Sequence, residues 1–187
     1  VEWTNRPFVT PPPLVHHGDC DAGGVILSSS GSTGEPKLIS RSERSFRHRL
    51  QWTWSTAPFP HGECGVQKSH ATTTHALYEL LEPLLCGRPV YILPDVSVIG
   101  VGGFWRLLST LPGVRRVLMV PSLLSASTSP VEEDFLVPRN IQRIVLMGER
   151  PDVEAVRRLH ARLPDTRVVS VYGCTEASSA AAVDVTD

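Results

Sequence analysis

IQRIVLMGERPDVEAVRRLHARLPDTRVVSVY, residues 141–172, is the stretch that decides the fold. Its two ends, 141–147 and 167–172, are short and mostly apolar, as strands covered by helices on both faces must be. Between them Val153, Val156, Leu159 and Leu163 recur at steps of three and four, with acidic residues early and arginines late, which suits the helix dipole. The spacing predicts a helix over 152–163. Strand, helix, strand is the unit from which a parallel sheet is built.

The same alternation runs outward. Further strands are predicted at 25–29, 64–68, 90–93 and 116–120. Phe46, Leu50 and Trp54 at steps of four predict an amphipathic helix over 42–56, ended by Pro58 and Pro60. The arginines between positions 41 and 49 read as its solvated face. Leu77, Leu80, Leu81 and Leu84 form one stripe of a mostly buried helix over 74–85 that stops at Cys86-Gly87. A shorter helix is expected at 103–111, with Gly100-Val101-Gly102-Gly103 as the turn before it. Residues 1–24 are Pro-rich and aperiodic, an extended lead-in. The expected architecture is doubly wound α/β, a mainly parallel sheet with helices on both faces.

Composition narrows the function. The 187 residues are 41% hydrophobic and 20% charged, which can close a core. With 18 Lys+Arg against 19 Asp+Glu, the formal charge is −1, so no global basic field draws nucleic acid or an anionic membrane. No apolar run reaches the roughly 20 residues of a spanning helix. Cys20, Cys64, Cys86 and Cys174 lie far apart with no CxxC pair, which argues against a zinc or disulfide framework and leads us to expect a reducing, cytoplasmic setting. Among the basic residues only Lys37 and Lys68 are lysines.

Lys37 ends the sequence SSSGSTGEPK, 28–37, which directly follows the apolar Val25-Ile26-Leu27. Two glycines and a run of hydroxyls can wrap a polyphosphate with backbone N–H and O–H donors, and the lysine adds a point charge. It is neither a Walker A loop, which needs GxxxxGK[ST], nor a GxSxG nucleophile elbow. On composition alone a flexible Ser/Gly turn is the first reading, and one of only two lysines at its end shifts the balance toward phosphate.

Taken with three other segments, this loop resembles the adenylate-forming (AMP-binding) superfamily: acyl-CoA synthetases and the adenylation domains of nonribosomal peptide synthetases. The loop is similar to [ST]SG[ST]TGxPKG, with Leu38 in place of the last glycine. VLMGE, 145–149, resembles the family's strand-end GGE segment, and VYGCTE, 171–176, its YGxTE motif with Ser170 where many members carry Asn. ALYELLEPLLCG, 76–87, is similar to the substrate helix of the peptide-synthetase branch. The resemblance therefore implies the N-terminal subdomain of an adenylate-forming enzyme, with residues 25–187 as its central part and the C-terminal lid not included.

Carried over residue by residue, the resemblance implies that Ser29, Ser30, Gly31, Ser32, Thr33, Gly34 and Lys37 hold the phosphates of ATP. Tyr172 would stack on adenine, flanked by Ser170 and Gly173, with Gly148 and Glu149 as the opposite wall. Thr175 would hydrogen-bond the α-phosphate or the reacting carboxylate, and Glu176 would bind Mg²⁺. Thr175, Glu176 and Lys37 are the catalytic candidates. The implied reaction is attack of a carboxylate on the α-phosphorus, giving an acyl-adenylate and pyrophosphate, with a carrier-protein or CoA thiol as the later acceptor.

In amino-acid-activating relatives an aspartate at the start of the substrate helix pairs with the α-ammonium. The matching position is Thr74, or His75 one residue on, and neither is anionic at pH 7. A buried ammonium without a carboxylate partner is disfavoured, so the substrate expected is a carboxylic acid lacking an α-ammonium, or one whose amine is anchored elsewhere. Tyr78, Ser122, Met147 and Val171 are the other wall candidates. The remaining histidines show no metal-ligand spacing. Because the family's lid lysine is not matched, and Lys68 does not correspond to it, the 187 residues alone are expected to adenylate poorly. A non-catalytic nucleotide-binding remnant is the alternative.

Overall fold

The computed structural model describes residues 24–29, 37–128, 135–175 and 179–186, with side chains throughout except at Ser28, Ser29, Lys37 and Ala180. The predicted unit at 141–172 is present as β6 (Arg143–Met147), α5 (Val153–Arg162) and β7 (Arg167–Gly173). Asp152 caps α5, its side chain accepting from the Glu154 N–H. β5 (Arg116–Met119) lies parallel to β6, β6 parallel to β7, and β8 (Ser179–Asp184) closes the far side antiparallel to β7. β3 (Gly65–Gln67) and β4 (Val90–Ile92) form a second parallel pair. A Cys64–Val114 bridge brings this pair alongside β5.

Alternation along the strands assigns the two faces. Val117, Met119, Ile144, Leu146 and Val168 point into a core with α3 (Val96–Thr110), α4 (Pro121–Ser127) and α5; Phe104, Trp105, Leu124 and Leu159 complete it. Leu118, Met147 and Val171 point the other way, against Phe46 and Leu50 of α1 (Glu43–Thr56) and Tyr78 of α2 (Thr74–Leu84). Helices thus cover both faces, as a doubly wound sheet requires. The α1–α2 contact is specific: Phe46 and Tyr78 stack at 5.0 Å, and the Trp54 indole donates to the Glu82 carbonyl at 2.9 Å.

Several expectations need correction. The predicted strand at 25–29 is real, as β1 (Gly24–Ser29). It pairs antiparallel with an unpredicted β2 (Lys37–Ser42) and stands outside the parallel sheet. β2 and β8 were missed because LISRS is mostly polar and SAAAVD is mostly alanine, a poor strand former, and α4 because it is short and serine-rich. α3 begins well before 103 as two helical segments that meet at Gly100, whose φ of 69° and ψ of 165° are not helical; the expected break therefore falls at Gly100, and 101–103 already lie in the second segment.

The leucine stripe of α2 is not its buried face. Ala76, Tyr78, Glu79, Glu82 and Pro83 are buried, while Leu84 is exposed. The two carboxylates can turn inward because each meets a cation: Glu79 meets Lys68 at 3.1 Å and Glu82 meets Arg49 at 3.0 Å. The arginines between 41 and 49 are accordingly not all solvated: Arg49 of α1 is buried against Glu82, and Arg41, which lies in β2, is buried as well.

Candidate active site

The carboxyl ends of parallel strands open a crevice, the usual ligand position in open α/β sheets. Three turns converge there: residues 120–122 after β5, 148–150 after β6 and 173–175 after β7. Gly148 has φ of 91°, a left-handed conformation that a side chain would strain. A Cβ there would also lie 3.4 Å from the His75 ring and 3.7 Å from Val120. Glu149 then reaches the start of α4, its carboxylate accepting from the Ser122 N–H at 3.0 Å and the Ser122 hydroxyl at 3.1 Å. Asp152 is tied to the same helix by the Ser125 hydroxyl at 2.8 Å, and this bond holds its carboxyl below the usual range. The β6 turn is thereby fixed on α4.

Tyr172 is 75% exposed, a bare aromatic face at the end of β7. Val171, its neighbour, points into the core. The ladder to β8 is irregular between Tyr172 and Gly173, and resumes with Gly173 opposite Ser179. Cys174 is exposed and Thr175 half-buried beyond it.

Beside this crevice, between the ends of β3 and β5, lies a cavity of about 240 Å³ lined by Lys68, Ser69, Thr73, His75, Asp95 and Val120, among others. Lys68 belongs to its frame: its ammonium and Glu79 are paired, and the same carboxylate accepts from the Lys68 and Ser69 N–H groups. Burial lowers the His75 pKa; nearby Glu79 opposes this and Lys68 reinforces it. The Thr74 hydroxyl oxygen is buried and meets no hydrogen-bond partner among the described residues.

The predicted site residues divide three ways. Gly148, Glu149, Ser122, Gly173, Thr175 and Tyr172 come together at the strand ends, and Thr74 and His75 start the adjoining helix; Ser170 is half-buried within β7. Tyr78, Met147 and Val171 lie in the core beneath them and not on an open wall. Tyr78, 1% exposed, is covered by Phe46 and by the Arg49 guanidinium, 4.7 Å from its ring. Ser30, Gly31, Ser32, Thr33, Gly34 and Glu176 lie outside the described residues; Ser29 and Lys37 are described in backbone only, as the pair that joins β1 and β2 at the base of the loop. Sequence reasoning missed Arg49, Glu82 and Ser179. The available signal was spacing: Arg49 and Thr53 follow Phe46 at steps of three and four, on the flank of the apolar stripe.

A doubly wound domain with its crevice at the carboxyl ends of the parallel strands is an α/β ligand-binding architecture. The chain belongs to the AMP-binding enzyme family, whose sequence pattern matches residues 12–187. It is 34% identical over 108 residues to the beta-alanyl-bioamine nonribosomal peptide synthetase ebony of Drosophila melanogaster, covering 57% of this chain and 12% of that protein. It is 27% identical over 173 residues to the D-alanine–D-alanyl carrier protein ligase of Streptococcus equi subsp. equi, covering 89% of this chain and 33% of the ligase. The chain therefore spans a third or less of these relatives. Among solved structures, the Vibrio cholerae adenylation domain AlmE, in complex with glycyl-adenosine-5'-phosphate, superposes with a TM-score of 0.71 at 18% identity, over 86% of this chain and 30% of that one. The N-terminal subdomain of Klebsiella oxytoca NpsA, in complex with 3-hydroxybenzoyl-AMSN, gives 0.69 at 20%, over 90% and 41%. At these identities the likeness is one of fold.

Proposed function

We propose that the protein uses ATP to activate a carboxylic acid as its acyl-adenylate, for transfer to the thiol of a carrier protein or CoA. Residues 25–187 contribute part of the AMP-binding domain, and 1–24 are its lead-in. In the reaction a carboxylate oxygen attacks the α-phosphorus, the bond to the bridging oxygen breaks, and pyrophosphate leaves. The observation that carries the reading is Tyr172: an exposed aromatic ring at a strand end, beside the turn that Gly148 and Glu149 fix on α4, in a chain of this family. Such a ring offers adenine a stacking face.

Ser29 to Gly34 and Lys37 would hold the phosphates, and Thr175 the α-phosphate or the carboxylate. Among the described residues no group of three His, Cys, Asp or Glu could hold a metal. Mg²⁺ needs no such group, since one carboxylate plus substrate phosphates suffices, and Glu176 is the carboxylate proposed; when bound, the ion would neutralise phosphate charge. For the acid, Thr74 brings an unpartnered hydroxyl and His75 a ring that burial keeps neutral. That pair suits a substrate without an α-ammonium.

ATP–pyrophosphate exchange screened over α-amino, β-amino, aryl and fatty acids tests both parts. Exchange with a non-α-amino acid is expected, and Tyr172→Ala should weaken binding of ATP about tenfold, the scale of one lost base-stacking contact. Preference for a standard α-amino acid would sink the substrate assignment. Magnesium-dependent ATP binding without exchange for any acid would favour a non-catalytic remnant instead.

A further inference from the structure

The junction of α1, α2, β6 and β8 is organised by one side chain. Arg49 is 3% exposed. Its Nε donates to the Ser179 hydroxyl at 2.7 Å, and its Nη1 lies 3.0 Å from Glu82 Oε1 and also bonds Thr53. Thr53 donates to that same carboxylate oxygen at 2.9 Å. Nη2 reaches the Met147 sulfur at 4.0 Å, and the guanidinium lies 4.7 Å from the Tyr78 ring and 4.8 Å from that of Trp52.

Three of these contacts lead to different parts of the site. Met147 ends β6 immediately before Gly148 and Glu149. Tyr78 lies on the helix that begins with Thr74 and His75. Ser179 stands opposite Gly173 in the ladder that closes the turn bearing Cys174 and Thr175. Because that ladder is irregular at Tyr172–Gly173, backbone pairing alone holds this turn less firmly than it holds the rest of β7. Stability does not require a buried ion pair here, since apolar residues of similar volume commonly do as well. A guanidinium, however, directs several donors along fixed lines, which an apolar residue or a lysine cannot do.

We propose that Arg49 is a positioning residue: by gripping Ser179 it fixes, through the Gly173–Ser179 pair, where Tyr172 and Thr175 stand relative to the Gly148–Glu149 turn. The inference rests on the adenylation reading, in which that turn faces ATP.

The test uses an isosteric pair in the full-length protein, Ser179→Val and Ser179→Thr, which differ in the hydroxyl, together with Arg49→Lys, which keeps the charge opposite Glu82. Amide hydrogen exchange without ligand is the first readout. Ser179→Val and Arg49→Lys should speed exchange at residues 172–175 about tenfold, the scale of a hydrogen bond to a charged donor, with β5 and α5 unchanged and Ser179→Thr at the parent rate. The second is the KM for ATP in pyrophosphate exchange, which should rise several-fold for Val and Lys while Thr behaves as the parent. Val matching Thr in hydrogen exchange, or exchange rising evenly across the whole chain, would overturn the positioning role. The expected hydrogen-exchange split in a parent that neither binds nor turns over ATP would instead overturn the adenylation reading, and with it the link from Arg49 to nucleotide.

Discussion

His75 sits where a positive charge is poorly tolerated. Its ring packs over Gly148, and burial depresses its pKa below the usual value of about 6.5 despite the attraction of Glu79. As pH falls, the unfolded chain takes up this proton before the folded one does. The stability His75 contributes is therefore complete above about pH 6.5 and is lost as pH drops through the folded value. Urea midpoints at pH 7.5 and 5.5 should fall further for the parent than for His75→Gln. The difference is bounded by about 1.4 kcal/mol per pH unit for a single proton. Equal pH dependence in the two proteins would mean that the ring is solvated. Arg49 teaches the complementary lesson: in a run of arginines, position relative to Phe46 decides burial, and residue type does not.

At the level of elements, α2 is held against β3 by an unusually close approach. Pro83 lies in the last turn of the helix, and a Cβ built on Gly65 would stand 2.4 Å from its Cγ and 2.9 Å from its Cβ. A pyrrolidine ring cannot swing aside as a flexible side chain would. Gly65→Ala is therefore expected to destabilise the protein by about 1–3 kcal/mol, the range for overpacking, read as a drop in thermal midpoint. An unchanged midpoint would show that helix and strand can separate without loss. The core strands were legible because their residues are apolar on both sides, and α1 and α5 because their apolar residues recur at steps of three and four on the face that is buried; the leucines of α2 located that helix but not its buried face. β2 and β8 were illegible for the converse reason: in each, polar or very small residues occupy most positions, and only pairing with β1 or β7 makes them strands.

Across the whole molecule, Arg116 joins regions distant in sequence. From β5 it meets Glu63 at 2.5 Å, donates to the carbonyls of Ala57 and Pro58 at 2.7 Å each, and packs over Phe59. Removing it strands a buried carboxylate and two carbonyls. Arg116→Leu should cost about 3–5 kcal/mol, the range for breaking a buried pair, and Glu63→Leu added to it should recover part of that loss in denaturant unfolding. Failure of the second change to recover any would place the cost in the carbonyls alone. The candidate site was half legible. Its glycines, Tyr172 and Thr175 stood out as motifs, whereas the Arg49–Glu82–Ser179 network brings together side chains from three elements, and no local pattern encodes such a meeting.

The pairing of Ser29 with Lys37 bears on how this region accommodates changes in length. Successive residues of a strand face opposite ways, so one residue inserted between Leu38 and Arg41 would turn Leu38, now exposed, to the side on which Arg41 is buried. Two inserted residues would restore the direction of Leu38 but displace it along the hairpin.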